Sequence, residues 1–161
     1  MAINGYLTIN GELQGQISAG CSGEASIGNR CQTPHQDQIM VLGFRHGQGD
    51  RNGGPRSIHQ PVVVNKLVDK ATPLLGQAAD GRERVECDFE FYRTHSSGQR
   101  EKYFSVRLEG AVILEQEMVL PHTVLMSDQA MEERLYISYR TISWIHHAAG
   151  TTGHASWKEQ P

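Results

Sequence analysis

The sequence lacks the features of several large protein classes. Its 161 residues contain only short apolar runs, such as Pro61–Val64, and none approaches the roughly 20 residues of a membrane-spanning helix. The first residues, MAINGYLTINGELQG, have neither a basic start nor an apolar segment, so we expect no secretory signal peptide and synthesis in the cytoplasm. The formal net charge is -3, without the basic excess of nucleic-acid-binding proteins. We therefore expect neither a membrane nor a nucleic acid as a partner.

Cysteine is also scarce, and its three positions do not form a disulfide framework. Cys87 alternates with Val85 and Phe89, which predicts a small core residue on a strand. Cys21 and Cys31 flank a polar loop. They are either two free thiols or a bridge formed after export to an oxidising compartment, and the sequence leaves both possibilities open.

Motifs for catalysis and for cofactor or metal binding are missing. The eight histidines include no HExxH or Cys/His metal spacing, and the adjacent His146 and His147 would point to opposite faces of a strand. The glycine-rich segment contains no GxxxxGK[ST] phosphate loop. We predict no catalytic residue, cofactor or metal. A small β-barrel hydrolase that uses Ser22 or Cys21 with a loop histidine remains an alternative.

Strand signals dominate what is present. Six segments are rich in β-branched and aromatic residues and are separated or flanked by glycine-containing turns. They are Gly5–Ile9, Gln38–Phe44, Gln60–Leu67, Arg84–Arg93, Lys102–Leu114 and Glu133–His147. The pattern predicts one mainly β domain over residues 1–161, folded as a mostly antiparallel sandwich or barrel. Trp144 and Trp157 are interpreted as packing anchors.

One short helix is predicted within Asp69–Gly81. Thr72 can cap its start, Pro73 suits the first helical position, and Gly81 suits its end. Two long loops, Gly20–Gln38 and Gly43–His59, are expected to be irregular. Loops of this length in a compact domain are commonly functional. The second loop contains five glycines and three arginines, which are Arg45, Arg51 and Arg56.

Carboxylates occupy every second position in the segment VECDFEFY. If this segment pairs with KYFSVRLE through a turn at Ser97–Gly98, all apolar residues fall on one side, because side chains alternate along a strand. The predicted apolar pairs are Phe91–Phe104, Phe89–Val106 and Cys87–Leu108. The predicted polar pairs are Tyr92–Tyr103, Glu90–Ser105 and Asp88–Arg107. Glu86, Asp88, Glu90 and Arg107 are thus interpreted as a solvated sheet face rather than an acid/base site.

The order of these segments resembles a known family. The run from GYL through PVVVNKLVDKATPLL and CDFEFYRTHSSGQREKYFSVRLEGAVI to ERLYISYRTISWIHHAAGTTGHASW is similar to the Hcp family (haemolysin co-regulated protein). Members of this family are tube subunits of the bacterial type VI secretion system. The resemblance covers nearly the whole chain and is weakest in the two long loops.

The resemblance implies an antiparallel two-sheet β-barrel with one short α-helix, similar to phage tail-tube proteins. It further implies that six copies close into a ring and that rings stack into a tube inside contractile sheath proteins. The tube is fired with a spike protein, leaves the cell without a cleaved signal peptide, and can carry effector proteins in its lumen. No cofactor is implied. A phage-derived tail-tube protein without a secretion role is the alternative.

Two hypotheses about contacts accompany this expectation. Arg45, Arg51 and Arg56 are candidates for contacts between neighbouring subunits or rings. The face that carries Glu86, Asp88, Glu90 and Arg107 is a candidate for the lumen or a partner surface, although the sequence does not say which face looks inward.

Overall fold

The structure is a computed structural model that describes residues 2–161, and β-strands are its main secondary structure. The strands are β1 (Ile3–Gly11), β2 (Gly15–Gln16), β3 (Ile39–Arg45), β4 (Gln48–Gly49), β5 (Ile58–His59), β6 (Val62–Leu67), β7 (Val85–Thr94), β8 (Arg100–Val119), β9 (Glu132–Ser138), β10 (Thr141–His146) and β11 (Thr151–Ser156). The helices are α1 (Glu24–Ile27) and α2 (Thr72–Asp80). The mainly β prediction is confirmed.

The large sheet closes on itself. Its strand order is β11-β10-β8-β7-β1-β3-β6-β9, and all its pairings are antiparallel. The first half of β8 pairs with β7 and β10, whereas its second half, from Val112 to Val119, pairs with β9. This last pairing joins β9, at one end of the strand order, back to β8 and makes a barrel of the strands from β8 to β9. Strands β10 and β11 extend the sheet beyond the barrel, and β4 and β5 form a separate hairpin.

The register of the β7–β8 hairpin follows the alternation of apolar residues. All three predicted apolar pairs are present, as are Glu90–Ser105 and Asp88–Arg107. The predicted pair Tyr92–Tyr103 is wrong, because the register shifts beyond Phe91 and Tyr92 pairs with Lys102 instead. A bulge of this kind adds one residue to one strand without disturbing the core face.

The predicted strand over Glu133–His147 is two strands. It breaks at Tyr139 and Arg140 because β9 and β10 pair with different halves of β8. Strand β8 continues five residues beyond Leu114, the predicted end of its segment, and β11 is a strand that was not predicted. Strand β11 is exposed along most of its length, so it lacks the apolar alternation on which the prediction relied.

Helical structure is present in both expected and unexpected places. Helix α2 lies within the predicted segment, with a proline in its first turn, but Ala71 occupies the cap position rather than Thr72. The Thr72 hydroxyl accepts a hydrogen bond from the Asp69 backbone N–H at 3.0 Å and donates one to Glu133 at 2.6 Å. The loop over Gly20–Gln38 is not wholly irregular. It contains α1 and two short 3-10 turns.

The core contains a fully buried lysine beside its apolar side chains. Cys87, Phe89, Leu108 and their neighbours pack between the barrel walls and α2, which confirms Cys87 as a core residue. Lys66 is 0% exposed, and its ammonium group contacts the carboxylates of Asp69 and Glu133. A buried charge is tolerated only when it is paired and hydrogen-bonded. This network joins β6, β9 and the start of α2. No helix of residues 2–161 has the length and apolar character to span a membrane.

Candidate functional site

A polar face runs across five strands of the large sheet. Thr8, Asp88, Arg107, Ser143 and His154 form one row of paired positions across β1, β7, β8, β10 and β11. The residues that alternate with them on β7 and β8, such as Phe89 and Val106, are buried in the core. The face that lacks apolar residues on β7 and β8 therefore points away from the barrel interior. We call this surface the polar face.

Ion pairs connect the β7 carboxylates with β8. Asp88 lies 3.2 Å from the Arg107 guanidinium, which is also 3.2 Å from Glu109, and Lys102 lies 3.8 Å from Glu90. Arg107 is exposed, as the sequence predicts. Glu86, Asp88 and Glu90 are half-buried rather than fully solvated.

Charge on the polar face is mainly negative. The β7–β8 part carries the carboxylates Glu86, Asp88, Glu90 and Glu109 and the cations Lys102 and Arg107. Burial raises the pKa of Asp88; Arg107 opposes the rise and Glu90 adds to it. Burial and a hydrogen bond donated to Glu90 raise the pKa of Tyr92 to about 12. The tyrosine stays neutral, and the surface favours cationic or hydrogen-bonding partners.

The loop over Gly20–Gln38 covers the β1 side of the polar face. The imidazole of His35 stacks on the ring of Tyr6 with centroids 3.7 Å apart, which leaves Tyr6 only 4% exposed. The Gln38 side-chain amide donates hydrogen bonds to Thr8 and Glu90, both at 3.2 Å. The open part of the face therefore begins at β7 and continues through β8 and β10 to β11.

The residues of the alternative hydrolase site do not form a nucleophile–base pair. The Ser22 hydroxyl donates to the Gln38 carbonyl, and His35 Nδ1 bonds the Gln38 side chain at 2.6 Å. Cys21 is buried, and burial together with the negative charge of Asp69 raises the pKa of its thiol to about 12. A nucleophile requires a base within hydrogen-bond reach, and within residues 2–161 no hydrogen bond joins Ser22 or Cys21 to a histidine.

The candidate arginines do not form one cluster. Arg45 ends β3, whereas Arg51 and Arg56 lie in the segment between β4 and β5, and all three are exposed. Arg56 lies 3.6 Å from Glu159, with both side chains largely in solvent. Exposed pairs of this kind add little to stability. Their guanidinium groups are therefore accessible to other molecules.

A hydrogen-bonded cluster that the sequence did not predict lies at the base of the glycine-rich loop. His46 Nε2 and His59 Nδ1 both lie 2.7 Å from the hydroxyl oxygen of Tyr139, which is 0% exposed. Trp157 stacks on His59 and packs edge-on against Tyr139, consistent with its interpretation as a packing anchor. The only signal in the sequence was that the two histidines bracket the loop.

An exposed apolar loop was also missed. Residues 120–131 connect β8 to β9, and Val124 and Leu125 are 77% and 80% exposed. The loop has polar and apolar residues without a regular period, so no strand or helix pattern identified it. Among residues 2–161, no group of three or more histidine, cysteine, aspartate or glutamate side chains is arranged to hold a metal ion.

Comparisons with known proteins agree with this architecture. Residues 6–146 match the family described as "Type VI secretion system effector, Hcp". The chain is 35% identical to the "Major exported protein" of Pseudomonas aeruginosa over an alignment of 173 positions. The alignment covers 98% of this chain and 97% of that one.

Solved structures show the same fold. A crystal structure described as Hcp protein has a TM-score of 0.91 at 35% identity and covers 98% of this chain and 99% of its own. The structure of the secreted protein Hcp3 from Pseudomonas aeruginosa has a TM-score of 0.87 at 35% identity, with 98% and 100% covered. The family match and these two likenesses each extend over most of the barrel.

Proposed function

The chain belongs to the Hcp family of type VI secretion system proteins, and from this premise we propose that it is a structural subunit that closes into six-membered rings. The subunit acts by assembly rather than by catalysis. Rings built from one kind of chain need a heterologous contact, in which two different surfaces of the same subunit meet and the rotation closes. The surfaces for such a contact are available on this fold.

The proposal rests on the polar face together with the free edge of β11, the strand at which this face ends. Within residues 2–161, β11 is the only strand longer than two residues that has just one partner strand. An unpaired edge promotes uncontrolled association unless another element covers it. In a ring, the neighbouring subunit covers this edge, so the polar faces of successive subunits join into one continuous wall.

The polar face lines the channel of the ring in this proposal. A polar, mainly negative wall remains hydrated. It binds folded cargo through hydrogen bonds and charge rather than through apolar contact. Effector proteins with complementary surfaces are the cargo that such a wall suits. Glu86, Asp88, Glu90 and Arg107 are then lumen residues.

Arg45, Arg51 and Arg56 contact acidic groups of a neighbouring subunit or of the next ring. Stacked rings form a tube that interacts with contractile sheath proteins and a spike protein. The subunit is made in the cytoplasm and leaves the cell as part of the tube. Export is supported by the name of its Pseudomonas aeruginosa relative, the "Major exported protein".

Size-exclusion chromatography with light scattering, followed by negative-stain microscopy, tests ring formation. We expect a mass of six subunits and rings with an open centre. A monomer at high protein concentration would overturn the proposal.

Charge reversal tests the arginines in the same assay. Arg45→Glu, Arg51→Glu and Arg56→Glu together should weaken ring closure or stacking, whereas Arg30→Glu, an exposed arginine of the other long loop, should not. Unchanged assembly of the triple variant would remove the arginines from the contact.

A further inference from the structure

We infer that His46, Tyr139 and His59 form a pH-sensitive latch that fastens the glycine-rich hairpin to the end of the barrel. The hairpin is the segment 46–59, which contains β4 and β5 and carries Arg51 and Arg56. The latch lies within one subunit, so its opening and closing do not require ring formation.

The latch joins both ends of the hairpin to one buried atom. His46 directly follows β3 and His59 ends β5, and both imidazoles bond the Tyr139 hydroxyl at 2.7 Å. Few other hydrogen bonds hold the hairpin. The β4–β5 pairing spans only Gln48–His59 and Gly49–Ile58, and residues 51–58 are exposed. The hydroxyl therefore fixes a segment that has little packing of its own.

Proton counting shows why the latch depends on pH. A tyrosine hydroxyl has one proton to donate and two lone pairs that accept. With one hydrogen bond to each histidine, it donates to an unprotonated ring nitrogen on one side and accepts an N–H on the other. At least one imidazole must be neutral. If both become imidazolium, each presents an N–H to the same oxygen, and the buried hydroxyl proton loses its acceptor.

The surroundings oppose a second positive charge. The charged residues that flank the cluster along the chain or line the cleft beside it are Arg45, Arg56, Arg140, Lys158 and Glu159. Four of these are cations, and the one carboxylate, Glu159, is engaged by Arg56 at 3.6 Å. The cleft itself is about 340 Å³, and Trp157 and His59 are among the residues that line it. No free carboxylate of this set compensates imidazolium at either histidine.

The direction of the pH effect follows from these contacts. Burial lowers the pKa of His46, and the proximity of His59 lowers it further; burial also lowers the pKa of His59. The released hairpin binds protons more readily than the latched one. Latching is therefore fully favoured above the ordinary histidine pKa of 6.5 and weakens as the pH falls below that value. Each unit of pKa difference changes the opening equilibrium about tenfold.

Acid release has a consequence for assembly that rests on the proposed function. If Arg51 and Arg56 contact a neighbouring subunit or ring, an unlatched hairpin no longer presents them in one position. Tubes then come apart more readily at mildly acidic pH than at neutral pH.

Hydrogen exchange of the intact protein at pH 7.5 and pH 5.5, corrected for intrinsic exchange rates, tests the latch. We expect the amides of residues 47–59 to lose protection about tenfold or more at pH 5.5, while those of β7 and β8 do not change. Tyr139→Phe keeps the aromatic ring but removes the hydroxyl, so its hairpin should exchange fast at both pH values. The matched control Tyr136→Phe should behave like the wild-type protein. Equal protection of the wild-type hairpin at both pH values would overturn the inference.

A second measurement covers the case in which Tyr139→Phe fails to fold. In nitrogen-labelled wild-type protein, His46 and His59 should titrate below 6.5 and should share one ring tautomer, because Nε2 of His46 and Nδ1 of His59 face the same hydroxyl group. Titration of both as ordinary histidines would contradict the latch. Light scattering measured against pH distinguishes failure of the latch from failure of the proposed assembly. If rings form but the hairpin stays latched at pH 5.5, only the latch is contradicted. If the hairpin opens at pH 5.5 but the protein never forms rings, only the proposed assembly role is contradicted.

Discussion

Single residues in this protein show how strongly burial changes chemistry. Lys66 has no exposed side-chain surface, yet its ammonium group lies between Asp69 and Glu133 in a network that also includes Thr72. The sequence presents Lys66 as an ordinary polar position in a strand with apolar neighbours. Its partner Glu133 lies 67 positions further along the chain. The pair is therefore a tertiary feature that local patterns do not reveal.

Replacing Lys66 by methionine should be strongly destabilising. The change leaves two buried carboxylates without their cation, and breaking such a pair costs about 3–5 kcal/mol. Urea unfolding at a fixed protein concentration measures the free energy of unfolding. Lys102→Met is the matched control, because its pair with Glu90 is half-exposed and should cost less than about 1 kcal/mol. Equal losses for the two variants would contradict the structural role of the network.

The cysteines should differ in reactivity. Cys31 is exposed, whereas Cys21 and Cys87 are buried, and all three are free thiols in the structure. Burial, with a contribution from Asp69, raises the pKa of Cys21 to about 12, so almost no reactive thiolate exists at pH 8. A thiol reagent at pH 8 should label Cys31 alone in the native protein and all three cysteines in denaturant.

The control for this labelling experiment is Cys31→Ser, which should leave the native protein unlabelled. If Cys21 and Cys31 of exported wild-type protein stay unlabelled in denaturant until a reductant is added, the two cysteines form a disulfide. This is the alternative that the sequence left open.

At the scale of elements, the β7–β8 hairpin shows what local patterns specify well. Its apolar pairs are as predicted because a shift by one residue would expose every core side chain. The bulges are different. At Gly110, β8 has two residues opposite Glu86 of β7, and the backbone φ of Gly110 is 59°. A bulge bends the strand that carries it, and the residues of β8 after this bulge pair with β9.

Gly110→Ala should destabilise the bend. A Cβ at this position would lie 3.0–3.1 Å from side-chain atoms of Arg140, and the left-handed backbone conformation costs an L-residue about 1–2 kcal/mol. We expect a lower urea midpoint without loss of the fold. Gly47→Ala, where no atom lies within 4 Å, should change the free energy of unfolding by less than about 0.5 kcal/mol. A Gly110→Ala variant as stable as wild type would show that the bend tolerates a side chain.

Element boundaries were harder to predict than element type. Strand β9 ends at Ser138 because its neighbour β8 changes partners, and nothing local to Tyr139 or Arg140 announces that change. Strand β11 has a polar, glycine-containing sequence and is a strand because β10 offers it an edge. Tertiary pairing decided both features, and propensity carries no information about which edge is available.

At the scale of the whole molecule, the polar face should act on cargo rather than on assembly. The triple variant Glu86→Gln, Asp88→Asn and Glu90→Gln keeps side-chain size and removes three carboxylates. In the proposed ring these groups face the lumen, so the variant should form rings of unchanged mass but retain cationic cargo proteins less well. Native mass and co-elution with a small basic protein at low salt measure the two effects, since screening weakens exposed charges.

A control variant separates lumen charge from total charge. Glu24→Gln, Asp80→Asn and Asp128→Asn remove three exposed carboxylates that lie outside the polar face, and cargo retention should stay at the wild-type level. If both variants lose cargo equally, the binding depends on net charge and not on this face. If the first variant no longer forms rings, the face belongs to a subunit contact.

The alternation and order of nearby residues were enough to predict the strand-rich fold, the position of α2, the core face of β7 and β8, and the family resemblance. The closure of the sheet through β8, the buried Lys66 network and the meeting of His46, His59 and Tyr139 depend instead on tertiary packing. Each of these joins residues far apart in the chain. Side-chain alternation indicates which face of a strand is buried, but partners distant in the chain are chosen by the packing of the whole barrel.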